Sequence, residues 1–112
     1  MSQDRNPDDS YTGLFNVQAR NVAPADRSGT VAVGGSAQQL APANLTRRGW
    51  RLQNQSAGDL WVNDKGGTAT ASQPSLRIAA NSYYESPITG CSNRVLSVYG
   101  ATTGQAFEAS EW

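Results

Sequence analysis

The residues of this sequence that could take part in chemistry are its one cysteine and its carboxylates. Cys91 would need a general base to act as a nucleophile, and the 112 residues contain no histidine to supply one. Asp59 and Asp64 flank a predicted strand, where turn formation accounts for both. One cysteine without histidine cannot form a structural zinc site. We therefore expect no enzyme, no cofactor and no metal site, unless the fold brings two carboxylates together in a cleft.

The aromatic residues indicate a contact surface instead. In an alternating strand, Trp61 points away from the face that holds Leu60 and Val62. Tyr83 and Tyr84 are adjacent, so one of them must face outward. Large aromatic side chains outside a core are typical of protein or sugar contact surfaces; the alternative is that the outer face is covered by other parts of the chain, such as the N-terminal arm over Trp61. The residues predicted to contact a partner are Tyr11, Leu14, Phe15, Val17, Arg47, Arg48, Trp61, Tyr83 and Tyr84.

Charge and hydropathy exclude several classes of partner. Nine basic and nine acidic residues leave the chain neutral, without the basic patch typical of nucleic-acid binding. No run of about 18 apolar residues is present, so we expect no membrane span. The start, Met1–Asn6, lacks the apolar stretch of a signal peptide, and the single cysteine suits a reducing compartment, so we expect synthesis in the cytoplasm.

Short apolar runs separated by many Gly, Ser, Thr and Asn residues predict an all-β fold. We expect an antiparallel β-sandwich or jelly-roll-like barrel of about eight short strands over residues 30–112. Residues 1–29 are mostly polar or charged, apart from an apolar group that includes Tyr11 and Phe15. We interpret 1–29 as an extended N-terminal arm that docks on another subunit; the alternative is a disordered tail.

The central stretch, Arg47–Asn63, has the clearest strand pattern. Two arms with alternating apolar and polar residues flank the small or polar residues 55–58, which predicts a β-hairpin. Arg47 and Arg48, at the start of this hairpin, would either pair with carboxylates of a neighbouring molecule or form a solvated strand end.

Further strands are expected over residues 30–33 and 38–41, and residues 105–109 are expected to pair back onto 94–99. The apolar positions of these strands predict a single core. Its members are Val31, Val33, Leu40, Trp50, Leu52, Leu60, Val62, Leu76, Ile78, Leu96, Val98 and Phe107.

Several runs of this sequence resemble small β-domains in virion proteins of tailed bacteriophages. The runs are Arg-Arg-Gly-Trp-Arg-Leu-Gln-Asn-Gln-Ser at 47–56, Leu-Trp-Val-Asn at 60–63, Gly-Gly-Thr-Ala-Thr at 66–70, Leu76-Arg77-Ile78, Tyr84-Glu85 and Val-Leu-Ser-Val-Tyr-Gly-Ala-Thr-Thr-Gly-Gln at 95–105. The resemblance covers roughly residues 45–109 and leaves the N-terminal arm uncovered. It assigns no contact residues.

The resemblance implies a structural protein of the virion, most like a head decoration, or cement, protein. Such proteins bind the capsid exterior across subunit boundaries, so the implied partners are the major capsid protein and neighbouring copies of this chain, in a homo-oligomer on the particle surface. Because the same domain type occurs elsewhere in virions, a tail, neck or fibre adaptor is an alternative. A further alternative, from the aromatic residues, is a carbohydrate-binding module that stacks sugars on Trp61, Tyr83 and Tyr84.

Overall fold

The computed structural model describes residues 21–112, which form nine short β-strands and no helix. In chain order the strands are β1 (Ala25–Asp26), β2 (Gly29–Thr30), β3 (Gln38–Ala41), β4 (Trp50–Asn54), β5 (Leu60–Asn63), β6 (Leu76–Ile78), β7 (Tyr83–Glu85), β8 (Leu96–Gly100) and β9 (Ala106–Glu111). Within the described range there is accordingly no helix long and apolar enough to cross a bilayer. The predicted all-β class is confirmed.

The strands form two antiparallel sheets that share one core. The five-stranded sheet has the order β1-β9-β4-β7, with β2 also paired to β9. The four-stranded sheet has the order β3-β8-β5-β6. Every pair in both sheets is antiparallel. This arrangement of two sheets over a common core is that of a β-sandwich, as the sequence predicted.

Strand pairing follows a nested pattern in which early strands pair with late ones. β1 and β2 pair with β9, β3 with β8, β4 with β7, and β5 with β6. Two further pairs, β4 with β9 and β5 with β8, complete the sheets. As a result, most connections carry the chain from one sheet to the other. Among the nine strands, β5 and β6 are the only two that are consecutive in sequence and also paired with each other.

The core forms because alternate residues of each strand point inward. In β4, Trp50 and Leu52 are buried between the sheets, while Arg51 and Gln53 face outward. Leu76, also predicted for the core, is half-buried and packs against its edge. The buried apolar cluster comprises Val31, Leu40, Ala41, Trp50, Leu52, Leu60, Val62, Ile78, Leu96, Val98, Phe107 and Ala109.

The predicted hairpin over Arg47–Asn63 is wrong. Both arms are strands, but β4 lies in the five-stranded sheet and β5 in the four-stranded sheet, so the two never pair. Asn54 gives the physical reason. This fully buried side chain donates to the carbonyl oxygens of Gly58, Ile78 and Ala79 at 2.8, 2.9 and 3.1 Å, and accepts from the N–H of Ser56 at 2.9 Å. These bonds hold the connection 55–59 as a crossover between the sheets.

We expect replacement of Asn54 by Ala to lower the free energy of unfolding by about 2–3 kcal/mol, because buried carbonyl groups would lose their donor. The measurement is urea denaturation followed by tryptophan fluorescence. Gln53→Ala, one residue away on the exposed side of β4, is the matched control and should change stability by less than about 0.5 kcal/mol. Equal effects of the two substitutions would contradict a structural role for Asn54.

The predicted pairing of residues 105–109 with 94–99 is also wrong, since β8 and β9 lie in different sheets. Here Gln105 fixes the crossover. Its buried amide donates to the hydroxyl of Ser56 at 3.0 Å and to the carbonyl of Asp59 at 3.1 Å, and its oxygen accepts from the N–H of Thr102 at 3.0 Å.

The predicted strand over residues 30–33 is shorter than expected, and Val33 does not belong to the core. β2 ends at Thr30, and the chain then turns, with the N–H of Ser36 donating to the carbonyl of Val33 at 3.2 Å. Alternation stops at this turn, which leaves the Val33 side chain 58% exposed. Val31 remains buried, because its backbone bonds to residues 104 and 105.

The five-stranded sheet includes residues that the sequence analysis placed in the arm of 1–29. β1 pairs with the end of β9, with Ala25 opposite Glu111, and β2 pairs with its start, with Gly29 opposite Phe107. Residues 21–24 precede β1 and are all exposed. The predicted arm contacts Tyr11, Leu14, Phe15 and Val17 lie outside the described residues.

Candidate interaction surface

Three of the connections between strands meet at one end of the sandwich. Antiparallel pairing places the end of β3 beside the start of β8, with Ala41 opposite Leu96. It likewise places the start of β4 beside the end of β7, and the end of β5 beside the start of β6. Loops 42–49, 64–75 and 86–95 therefore lie together, and we call this part of the molecule the loop end.

Two aliphatic side chains project from turns at the loop end. Leu45 is 84% exposed and Ile88 is 88% exposed. Leu45 lies in a turn closed by the N–H of Arg47 donating to the carbonyl of Asn44 at 3.1 Å, and Ile88 in one closed by the N–H of Gly90 donating to the carbonyl of Pro87 at 3.3 Å. Exposed turns normally carry polar or small residues, so large aliphatics at both tips are unusual.

Hydrogen bonds join the two loops that carry these side chains. The N–H of Asn44 donates to the carbonyl of Asn93 at 2.9 Å. The buried Arg47 guanidinium also joins the two loops, because it donates to the carbonyl oxygens of Pro42, Ser92 and Arg94 at 2.6, 2.9 and 2.8 Å. A fixed backbone reduces the entropy lost on binding, so the loop end is preorganised for a contact.

Glu111 is the counterion that allows Arg47 to be buried here. Nε of Arg47 donates to Oε1 of Glu111 at 2.7 Å, and Nε of Arg27 donates to Oε2 at 2.8 Å. The side chains of Arg47 and Glu111 are 0% and 3% exposed. Burial by itself raises the pKa of the Glu111 carboxyl, but the hydrogen bonds from Arg47 and Arg27 outweigh it and hold that pKa below its ordinary value.

The exposed charges of the loop end are unbalanced. Arg48 and Arg94 are exposed, and neither forms an ion pair with another residue of 21–112. Lys65 pairs at 3.3 Å with Asp64, the one acidic residue in the sequence of the three loops. The loop end thus presents two aliphatic side chains together with two exposed guanidinium groups that no carboxylate of the described residues pairs with.

The structure separates the residues that the sequence predicted to contact a partner. Arg47 is buried and its guanidinium bonds within the chain, whereas Arg48 is exposed at the loop end. Trp61 faces outward on the four-stranded sheet, and Tyr83, 50% exposed, faces outward on the other sheet. Tyr84 points inward and packs on Trp50, with ring centroids 5.0 Å apart. The three aromatics therefore form no common platform for stacking a sugar.

Sequence reasoning missed Leu45, Ile88 and Arg94 as contact candidates. Each is a single residue within a polar or glycine-containing connection, and isolated aliphatics on a surface are normally without significance. The available signal was the position of Leu45 between Asn44 and Thr46, a turn-forming context in which a large aliphatic has no partner to pack against. Only the strand pairing places the three residues at one end.

The structure also describes the surroundings of Asp59 and Cys91, two of the residues whose chemistry the sequence analysis considered. Within residues 21–112 no group of three or more Cys, Asp or Glu residues could hold a metal ion. Asp59 pairs with Arg77 at 2.7 Å, and this hydrogen bond lowers the pKa of the Asp59 carboxyl. Burial raises the pKa of the Cys91 thiol, which disfavours the reactive thiolate.

Comparison with known proteins adds no relationship. No family model, curated protein or solved structure matches the chain. The interpretation of the loop end therefore depends on its own geometry and chemistry.

Proposed function

We propose that this chain is a non-catalytic structural protein of a tailed-bacteriophage virion, which binds and stabilises the capsid exterior as a head decoration, or cement, protein. The observation that carries the proposal is the loop end: Leu45 and Ile88 are almost fully exposed on loops that buried Arg47 holds in place. Exposed apolar side chains on a preorganised surface are typical of protein–protein contacts.

The strand order supports the finer fold interpretation, a jelly roll. A jelly roll is a double-sheet architecture of eight antiparallel strands with Greek-key connections, and it occurs in viral capsid domains. The nested pairing fits this layout when β1 and β2 together count as the first strand. Lectins share the architecture, so the functional proposal depends on the loop end and on the resemblance in residues 45–109.

The proposed mechanism is additional interface area that must be lost before capsid subunits separate. A specific contact buries about 800 Å² on each partner. Many modest contacts repeated over one shell add up through multivalency. The partners in this proposal are the major capsid protein and neighbouring copies of the chain, and the location is the capsid surface.

Binding to phage heads tests the proposal. The purified chain should cosediment with heads that lack it and raise the temperature at which they release DNA. Replacing both Leu45 and Ile88 by Asp should weaken binding at least about tenfold, because two apolar contacts would be lost and charges would be buried. The matched control is Val33→Asp, which also replaces an exposed aliphatic, 58% exposed, but in the connection between β2 and β3.

Three outcomes would contradict the proposal in different ways. If the wild-type chain does not bind heads but binds isolated tails, the tail, neck or fibre adaptor is the better assignment. Binding to neither structure would reject the virion role. If the Leu45 and Ile88 double variant binds heads like the wild type, while Val33→Asp does not, the contact surface lies away from the loop end.

A further inference from the structure

We infer that the loop end binds the outer face of the five-stranded sheet of a second copy, in a two-fold symmetric dimer. This inference rests on the proposed function in taking the loop end as a contact surface, and it makes a neighbouring copy, one of the two proposed partners, the molecule that the loop end contacts. Its own support comes from the charges and exposed apolar residues of both surfaces.

The outer face of the five-stranded sheet carries excess negative charge. Arg51 lies near its centre and donates to Glu108 at 3.0 Å. Strand register places Glu85 opposite Arg51 on the neighbouring strand, and Asp26 lies on the far side of β9. We call this surface the acidic face. Its three carboxylates and one guanidinium leave an excess of two negative charges, which complements Arg48 and Arg94, the two exposed arginines of the loop end.

Exposed apolar side chains lie on the same two surfaces. Val22 is 44% exposed and Tyr83 is 50% exposed, both at the acidic face. Together with Leu45 and Ile88 at the loop end, they are four of the five large apolar side chains exposed within residues 21–112. An interface needs apolar contacts at its centre and charged groups around them, and these two surfaces supply both.

The two surfaces adjoin on one copy, which favours a closed dimer. A shallow cleft of about 270 Å³ lies at their boundary, lined by Val22, Pro24, Arg51, Glu85, Ser110 and Trp112. A two-fold axis beside this cleft would place the loop end of each copy on the acidic face of the other. Each charge contact would then occur twice, and no complementary surface would be left open to extend a chain of copies.

The dimer can be measured on the full chain by sedimentation velocity over a wide concentration range. We expect a monomer–dimer equilibrium whose dissociation constant rises at least about tenfold between low and high salt, because mobile ions screen exposed charges. A wild-type chain that stays monomeric at every concentration in low salt would overturn the inference.

Charge reversal provides the decisive experiment. The first variant carries Arg48→Glu and Arg94→Glu, and the second carries Asp26→Arg and Glu85→Arg. Each variant alone would place like charges in both copies of the contact and should be monomeric. Mixed together, the two variants would have opposite charges in both contacts and should form a heterodimer, which native mass spectrometry resolves by mass.

Two controls keep this result specific. Arg77→Glu reverses a charge on the four-stranded sheet and should leave the dimer unchanged. Deleting residues 2–20 should also leave it unchanged, since the inferred contact uses only later residues. If this deletion abolishes the dimer, the loop end binds the N-terminal segment and not the acidic face. Circular dichroism of each variant verifies that a monomer is folded.

The inference and the proposed function can fail separately. A chain that binds heads but shows no dimer and no heterodimer rescue would keep the proposed function and reject the second copy as occupant. If the two variants form the heterodimer but the chain binds no virion structure, the dimer is supported and the proposed function is rejected.

Discussion

Replacing Glu111 by Gln should lower the free energy of unfolding by about 3–5 kcal/mol, as expected when one partner of a buried ion pair is removed. The substitution keeps the shape of the side chain but removes its charge, and leaves the Arg47 guanidinium buried without a counterion. Because Arg47 holds three carbonyl groups of loops 42–49 and 86–95, we also expect faster amide hydrogen exchange in those loops. Urea denaturation gives the stability change.

The control for this prediction lies on the same strand. Glu108 pairs with Arg51 at 3.0 Å, but the two side chains are 36% and 42% exposed, so Glu108→Gln should cost less than about 1 kcal/mol. Similar losses from the two substitutions would show that the Arg47–Glu111 pair contributes no more than a surface pair.

Lowering the pH should reproduce part of the stability loss that Glu111→Gln causes. The pKa of this carboxyl lies below its ordinary value of 4.5 in the folded chain, so its contribution is fully present above that value and is lost as the pH falls through the lower, folded pKa. The difference in unfolding free energy between wild type and Glu111→Gln should therefore shrink on acidification below about pH 4.5. A difference that stays constant with pH would contradict this account.

Replacing Leu52 by Ala should lower the free energy of unfolding by about 2–5 kcal/mol, the usual range for a fully buried leucine. Leu52 is 0% exposed at the centre of the shared core, so the truncation removes apolar contacts and leaves a cavity. Thermal denaturation and urea titration both measure the loss.

The matched control is the same substitution at Leu45, which is 84% exposed and should change stability by less than about 0.5 kcal/mol. This pair also serves the functional proposal, because Leu45→Ala would affect partner binding without affecting the fold. A large stability loss at Leu45 would instead mean that this side chain packs within its own chain.

Much of the strand content was predictable because alternation is a local property. Residues 38–41 and the two arms of 47–63 were assigned as strands, and strands occupy 38–41, 50–54 and 60–63. Trp50, Leu52, Leu60 and Val62 were assigned to the core and are buried. A period of two within four or five residues determines which side chains share a face, whatever strand lies alongside.

Strand partners could not be predicted in the same way. Short polar connections at 55–58 and 100–104 look like hairpin turns, and local rules favour pairing across them. Instead, Asn54 bonds to the carbonyl groups of Ile78 and Ala79, and Gln105 bonds to the hydroxyl of Ser56 and the carbonyl of Asp59. These bonds direct the chain into the opposite sheet. These partners lie far away in the sequence, so the residues next to Asn54 and Gln105 give no indication of them.

The candidate site shows the same division between local pattern and long-range pairing. By itself the sequence determined an all-β chain, the inward faces of most strands and the two arginines, Arg47 and Arg48, that come just before β4. Only the tertiary structure decided that Arg47 is buried, that Arg48 is exposed, and that Leu45, Ile88 and Arg94 share one end. The physical reason is that burial of Arg47 needs the carboxylate of Glu111, 64 residues away, which only the pairing of β9 with β4 brings within reach.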